Sequence, residues 1–116
     1  MPKRFDTPPS LDDLAEIAEA AFAAIPDELR RHVAGVLIRI DEFPDAETER
    51  EMKLETPFDL LGLYRGIDIA HESVGMTPED INMIFLYRRP ILDYWCETGE
   101  DLTHVIRHVL IHEIGH

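Results

Sequence analysis

The sequence is poor in cysteine and in long apolar runs. Cys96 is its single cysteine among 116 residues, so an internal disulfide is excluded. No apolar run approaches the roughly 20 residues that a membrane-spanning helix needs. The polar stretch from Met1 to Ser10 lacks the apolar region of a secretory signal peptide. Together these absences favour a cytoplasmic protein, since thiols stay reduced in that compartment.

Positive charge is scarce as well. The chain carries 11 Lys and Arg against 24 Asp and Glu, a formal net charge of −13. Such a balance argues against binding to nucleic acids or to anionic membrane surfaces. It is compatible with a cation or a basic peptide, although an acidic surface more commonly serves solubility alone. The 45% hydrophobic content indicates one packed domain over residues 1–116.

The chemistry is concentrated in the final segment, DLTHVIRHVLIHEIGH, which runs from Asp101 to His116. It ends in an H-E-x-x-H motif formed by His112, Glu113 and His116. On a helix, two histidines four residues apart point the same way and can bind one Zn²⁺. A glutamate between them can hold and deprotonate a metal-bound water. We therefore predict metal ligation by His112 and His116 and catalysis by Glu113.

The apolar pattern of this segment supports a packed helix. At about 100° per residue, Leu102, Val105, Ile106, Val109 and Leu110 fall on one arc, and Glu113 lies near its middle. A carboxylate aimed at a core is costly unless something compensates it, and a metal-bound water is one such compensation. The alternative is that the helix has cleared the core by its last turn and Glu113 is solvated.

A zinc site also needs a third protein ligand. The apolar period continues to the end of the sequence without a stop signal, so we expect a chain cut within its active-site helix. A third ligand from upstream is the alternative. His104 and His108 continue the four-residue spacing, but His108 and His116 would lie about 12 Å apart along a helix. We interpret both as flanking residues, His32 as a surface residue and His71 as a secondary candidate for metal or substrate contact.

Further signals predict the other elements. Ser10, with Asp13 three residues later, is a capping pattern for a helix through Ile25. A short helix follows over residues 27–34, and the predicted strands span residues 36–40, 60–69 and 81–87. Gly62 and Gly66 suggest a bulge or a close backbone approach. Residues 41–55 read as an acidic loop with a helical turn, and residues 91–96 as a packed connection, after which Thr98 caps the final helix.

Three stretches of the sequence are distinctive in combination: LLGLYRG (60–66), LYRRPIL (86–92) and Arg107-His108 leading into the H-E-x-x-H motif. With them the chain resembles the small bacterial zincin-like metallopeptidases that have a minimal metalloprotease fold. The resemblance implies an α+β, zincin-like fold: an N-terminal helix, a small mixed three-stranded sheet and a C-terminal active-site helix packed on it. It also implies Zn²⁺ on His112 and His116, with Glu113 as general base. The family continues the motif with x-x-G-x-x-D, whose Asp resembles a third ligand and has no counterpart in these residues.

These observations predict a zinc-dependent metallopeptidase-like hydrolase acting on a peptide or protein. Tyr64 and Tyr87 could contact substrate or an oxyanion, although cross-strand packing is the commoner role of such residues. Two alternatives remain open. One is a zincin-shaped binding or regulatory module with little or no catalysis, and the other is a structural metal site. The spacing does not distinguish zinc from other divalent ions.

Overall fold

The computed structural model describes residues 7–30, 35–68 and 80–115. Over these ranges the chain forms five α-helices and three β-strands, which are α1 (Leu11–Ala23), α2 (Asp27–Arg30), β1 (Leu37–Asp41), α3 (Ala46–Met52), β2 (Gly62–Asp68), β3 (Asp80–Tyr87), α4 (Arg88–Thr98) and α5 (Leu102–Ile114). A 3-10 turn, Pro57–Asp59, precedes β2. None of the described helices is long and apolar enough to cross a membrane.

The three strands form one mixed sheet in the order β1-β3-β2. β1 runs parallel to β3, with Ile40 opposite Leu86, and β2 runs antiparallel to β3, with Tyr64 opposite Ile84. β2 is therefore an edge strand. This arrangement confirms the predicted α+β fold with a small mixed sheet.

The core lies between one face of this sheet and two helices. Ile84 and Leu86 of β3 are fully buried, and α1 packs against α5 and β1 while α5 packs against β2. α5 buries the predicted arc, namely Leu102, Val105, Ile106, Val109, Leu110 and Ile114. Burying each such side chain contributes about 1.5–3 kcal/mol. α5 is thus fixed to the sheet by its apolar face, as predicted.

The start of α1 follows the predicted capping pattern. The Asp13 N–H donates to the Ser10 hydroxyl at 3.0 Å, and the Ser10 N–H donates to the Asp13 carboxylate at 2.9 Å. Two N–H groups without helical partners are thereby satisfied.

The structure corrects the prediction of a packed connection over residues 91–96. That stretch lies within α4, which begins at Arg88 directly after β3. Pro90 is compatible with this helix because it lies in the first turn, where backbone N–H groups have no helical partner. Gly99 ends α4 in a left-handed conformation with φ 69°. Thr98 is therefore the last residue of α4, and Asp101 takes the N-cap position of α5.

The acidic stretch over residues 41–55 is also more helical than predicted. Asp45 caps α3 by accepting a hydrogen bond from the Thr48 N–H at 2.7 Å, and Lys53 ends the helix in a left-handed conformation. The second strand begins at Gly62 rather than at residue 60. The expectations for residues 31–34, with His32, and for residues 69–79, with His71, lie outside the described residues.

Candidate active site

The pairing of β2 with β3 decides which backbone groups face outward. The Tyr87 N–H donates to the Leu61 carbonyl at 2.9 Å, which makes these two residues a hydrogen-bonded pair. Such pairs alternate along an antiparallel ladder. The N–H and C=O groups of Gly62, Tyr64 and Gly66 therefore point away from β3, towards the outer edge of the sheet.

One of these outward groups contacts the H-E-x-x-H motif. The Tyr64 N–H donates to Glu113 Oε1 at 3.1 Å, and the contact is partly buried. Glu113 itself is half-buried beside the apolar arc of α5. The structure thus identifies a main-chain donor for this carboxylate, where the sequence suggested a metal-bound water. Since a carboxylate has two oxygens and about four acceptor positions, one amide leaves capacity for a further proton or donor.

Gly62 permits the close approach of β2 to α5. A Cβ added at Gly62 would lie 2.6 Å from Val109 Cγ1 and 3.1 Å from the Phe85 carbonyl oxygen. Close backbone approach, one of the two roles predicted for Gly62, is therefore correct. The ladder runs without interruption from Gly62 to Asp68, so the alternative of a bulge is wrong for these residues.

Beside this contact, β2 and α5 rise by similar distances along their axes. Gly62 lies next to Val109 and Tyr64 next to Glu113, so two residues of β2 correspond to four residues of α5. Two strand residues rise about 6.6 Å. Four helical residues rise about 6 Å. The matched rise lets a single glycine contact bring Glu113 to the sheet edge.

A cleft of about 550 Å³ opens beside Glu113. Its first wall is α5, which contributes His104, Val105, His108, Val109, His112 and Glu113. Its second wall is formed by residues 59–62, together with Tyr94 and Glu100. We call this space the α5 cleft. A volume of this size is typical of ligand-binding sites.

Three histidines of α5 therefore line the same cleft as the predicted base. His104, His108 and His112 are exposed and lie on successive turns of the helix. The interpretation of His104 and His108 as flanking residues stays a prediction. His116, the second predicted ligand, lies outside the described residues.

The two tyrosines lie in different surroundings. Tyr87 is 3% exposed and stacks on Phe85, with ring centroids 6.5 Å apart. Burial raises the pKa of Tyr87 to about 12, and Asp41 and Asp45 add to the effect. Tyr64 packs its half-buried ring on the core, and its backbone N–H makes the contact with Glu113. Packing is thus the observed role of both rings.

Sequence reasoning missed three residues of the α5 cleft, namely Asp59, Tyr94 and Glu100. Asp59 accepts hydrogen bonds from the Thr56 and Glu55 N–H groups at 2.9 and 3.0 Å, which lower the pKa of its carboxyl. The Thr-x-x-Asp capping pattern over residues 56–59 is a signal that could have located it. Tyr94 lies in α4, where no helix was predicted, and Glu100 lies in the connection to α5.

The donor chemistry near Glu113 fits a zinc ion. The exposed imidazole of His112 offers a nitrogen ligand of the kind that Zn²⁺ accepts. The adjacent Glu113 carboxylate, anchored by a main-chain amide, lies where a base beside such an ion is needed. Among residues 7–30, 35–68 and 80–115, no three His, Cys, Asp or Glu side chains come together as a metal-binding group. That observation does not extend to His116.

Comparison with known proteins places the chain in a family. The family model described as zincin-like metallopeptidase matches residues 33–116, which include the whole sheet, α4 and α5. No curated protein matches the sequence. Because the match covers most of the chain and includes both partners of the Tyr64–Glu113 contact, the chain belongs to the zincin-like metallopeptidase family.

Proposed function

We propose that this protein is a zinc-dependent peptide hydrolase in which His112 and His116 bind the metal and Glu113 is the general base. The observation that carries the proposal is the position of Glu113 at the outer edge of β2, held by the Tyr64 N–H at 3.1 Å. A base in this position lies beside the surface on which an extended peptide can bind. Membership of the family supports the same reaction class.

The substrate would pair with the edge of β2. The Tyr64 C=O and the Gly66 backbone groups point outward there, while the Tyr64 N–H is occupied by Glu113, and an extended peptide can add to the remaining groups as a further strand. Main-chain hydrogen bonds would orient the peptide irrespective of its side chains. The scissile bond would then lie near Glu113, with adjacent side chains entering the α5 cleft.

The proton transfers belong to Glu113. When bound, Zn²⁺ supplies a Lewis acid that polarises a carbonyl and lowers the pKa of water towards about 7. Glu113 removes a proton from the attacking water and delivers it to the leaving amine nitrogen, so that water is consumed and one peptide bond becomes a carboxylate and an amine. Its bond to the Tyr64 N–H fixes the direction in which the carboxylate points.

The proposal is tested by zinc content and peptide hydrolysis in a matched set of variants. With zinc supplied at a fixed concentration, we expect the unmodified protein and Glu113→Gln to bind equal amounts of zinc, and His112→Ala to bind less. Hydrolysis of a mixed peptide pool should fall about 10²- to 10⁴-fold in Glu113→Gln. Glu19→Gln makes the same change at an exposed position on α1 and should leave hydrolysis unaltered. Equal turnover in Glu113→Gln and the unmodified protein would contradict the assigned base.

A further inference from the structure

The α5 cleft has an uneven charge distribution. Its lining includes the carboxylates of Asp59 and Glu100, both exposed, and contains no Lys or Arg among the described residues. Asp59 is held in place by the Glu55 and Thr56 N–H groups, so its charge has a fixed position. The same hydrogen bonds favour its ionised form at neutral pH.

The remaining lining is suited to an aliphatic chain. Leu61, Val105 and Val109 contribute apolar surface, and Tyr94 contributes a ring that is 38% exposed. Lysine and arginine lay their methylene stems along such surfaces while their charged ends remain near water or a carboxylate.

We propose that the α5 cleft binds a lysine or arginine side chain next to the scissile bond, so that the substrates are basic peptides. The proposal rests on the proposed function for the position of the peptide. Glu100 would pair with the cationic end, the charge of Asp59 would add to the attraction, and the apolar lining would hold the stem. The formal net charge of −13 would also attract a basic peptide over longer distances.

Three fluorescent peptides that differ at one central position test this inference. The position holds lysine, norleucine or glutamate, where norleucine keeps a similar stem without the charge. Dissociation constants are measured by fluorescence anisotropy at one fixed pH and ionic strength. We expect the lysine peptide to bind more tightly than the norleucine peptide, and the glutamate peptide to bind most weakly.

Substitutions of Glu100 distinguish the contribution of the cleft to peptide binding from that of the protein's net charge. Glu100→Gln should reduce the lysine preference by about two- to five-fold, the range for one exposed ion pair, and Glu100→Lys should shift the preference towards the glutamate peptide. Glu19→Gln removes the same charge on α1 and should leave the preference unchanged. Asp59 stays unaltered because it caps the 3-10 turn.

The outcomes also separate this inference from the proposed hydrolysis. Equal binding of the lysine and norleucine peptides, no binding of any peptide, or equal effects of Glu19→Gln and Glu100→Gln would overturn the inference. If the lysine peptide binds preferentially without being cleaved, the specificity holds and the hydrolase proposal fails. If all three peptides bind equally and are cleaved equally, the hydrolase proposal holds and the proposed lysine or arginine specificity fails.

Discussion

The backbone N–H of Tyr64 donates a hydrogen bond to Glu113 Oε1 at 3.1 Å and joins the edge strand β2 to α5. Because the donor is a main-chain group, this contact does not depend on the tyrosine side chain. The side chain serves instead to pack β2 on the core. Any residue at position 64 other than proline can keep the carboxylate in place, provided that β2 keeps its pairing.

Amide hydrogen exchange of Tyr64 should report this contact directly. Glu113→Ala removes the acceptor, so we expect the Tyr64 amide to exchange about ten-fold faster, as for the loss of one charge-assisted hydrogen bond. The amides of Leu63 and Arg65 provide an internal control, since those residues pair with β3. Equal acceleration at all three positions would indicate a general loosening of β2. NMR-detected exchange resolves the individual amides.

Gly62→Ala should destabilise the protein by about 1–3 kcal/mol, the usual cost of overpacking. The new methyl group would lie 2.6 Å from Val109 Cγ1, so β2 and α5 must separate. Gly66→Ala is the matched control, because its Cβ would meet nothing closer than Asn82 Oδ1 at 3.4 Å. Urea unfolding measures the free energy of unfolding of both variants. A Val109→Ala change added to Gly62→Ala should recover part of the loss, and the absence of any recovery would count against this contact as the cause.

The burial of Tyr87 predicts a loss of stability at high pH. Its folded pKa is raised to about 12, whereas an unfolded tyrosine titrates near pH 10. Below pH 10 both states are protonated and the stabilisation is fully present. Between about pH 10 and 12 the unfolded state loses its proton first, so the free energy of unfolding falls. In Tyr87→Phe this decline should be shallower, as measured by urea unfolding at a series of pH values, and an unchanged slope would argue against Tyr87 as the titrating group.

Ser10→Ala should lower the free energy of unfolding by about 1 kcal/mol, because it removes the acceptor for the Asp13 N–H. Thr7→Ala changes an exposed hydroxyl outside the helix and should have a smaller effect. Thermal unfolding followed by circular dichroism compares the two variants. Equal stability of Ser10→Ala and the unmodified protein would show that the capping box contributes little to α1.

Local signals were sufficient to predict much of the fold. The arc from Leu102 to Leu110 predicted the buried face of α5, and Ser10 with Asp13 predicted the start of α1. These patterns depend on residues a few positions apart. α4 was missed because residues 91–96 were interpreted as a packed connection, although Pro90 fits a first helical turn and Gly99 is a typical residue after a helix.

The site was less accessible to sequence reasoning. H-E-x-x-H indicated Glu113, but the group that holds this carboxylate is a backbone N–H 49 positions earlier in the chain. A residue type carries no information about which main-chain amide will face outward, because that depends on the strand register. Asp59 and Glu100 were missed for a related reason, since only tertiary packing places them along the same cleft.

Because β2 and α5 rise by matching distances between their two contacts, residues 62–64 and 109–113 must keep their number. An inserted residue between Gly62 and Tyr64 would turn the Tyr64 N–H towards β3, because outward and inward groups alternate. An insertion between Val109 and Glu113 would rotate the carboxylate by about 100° around the helix. The residues around α3 and at Gly99 lie outside both contact segments and are not subject to either restriction. Designed or natural variants should therefore tolerate added residues around α3 and at Gly99, while both short contact segments keep a fixed length.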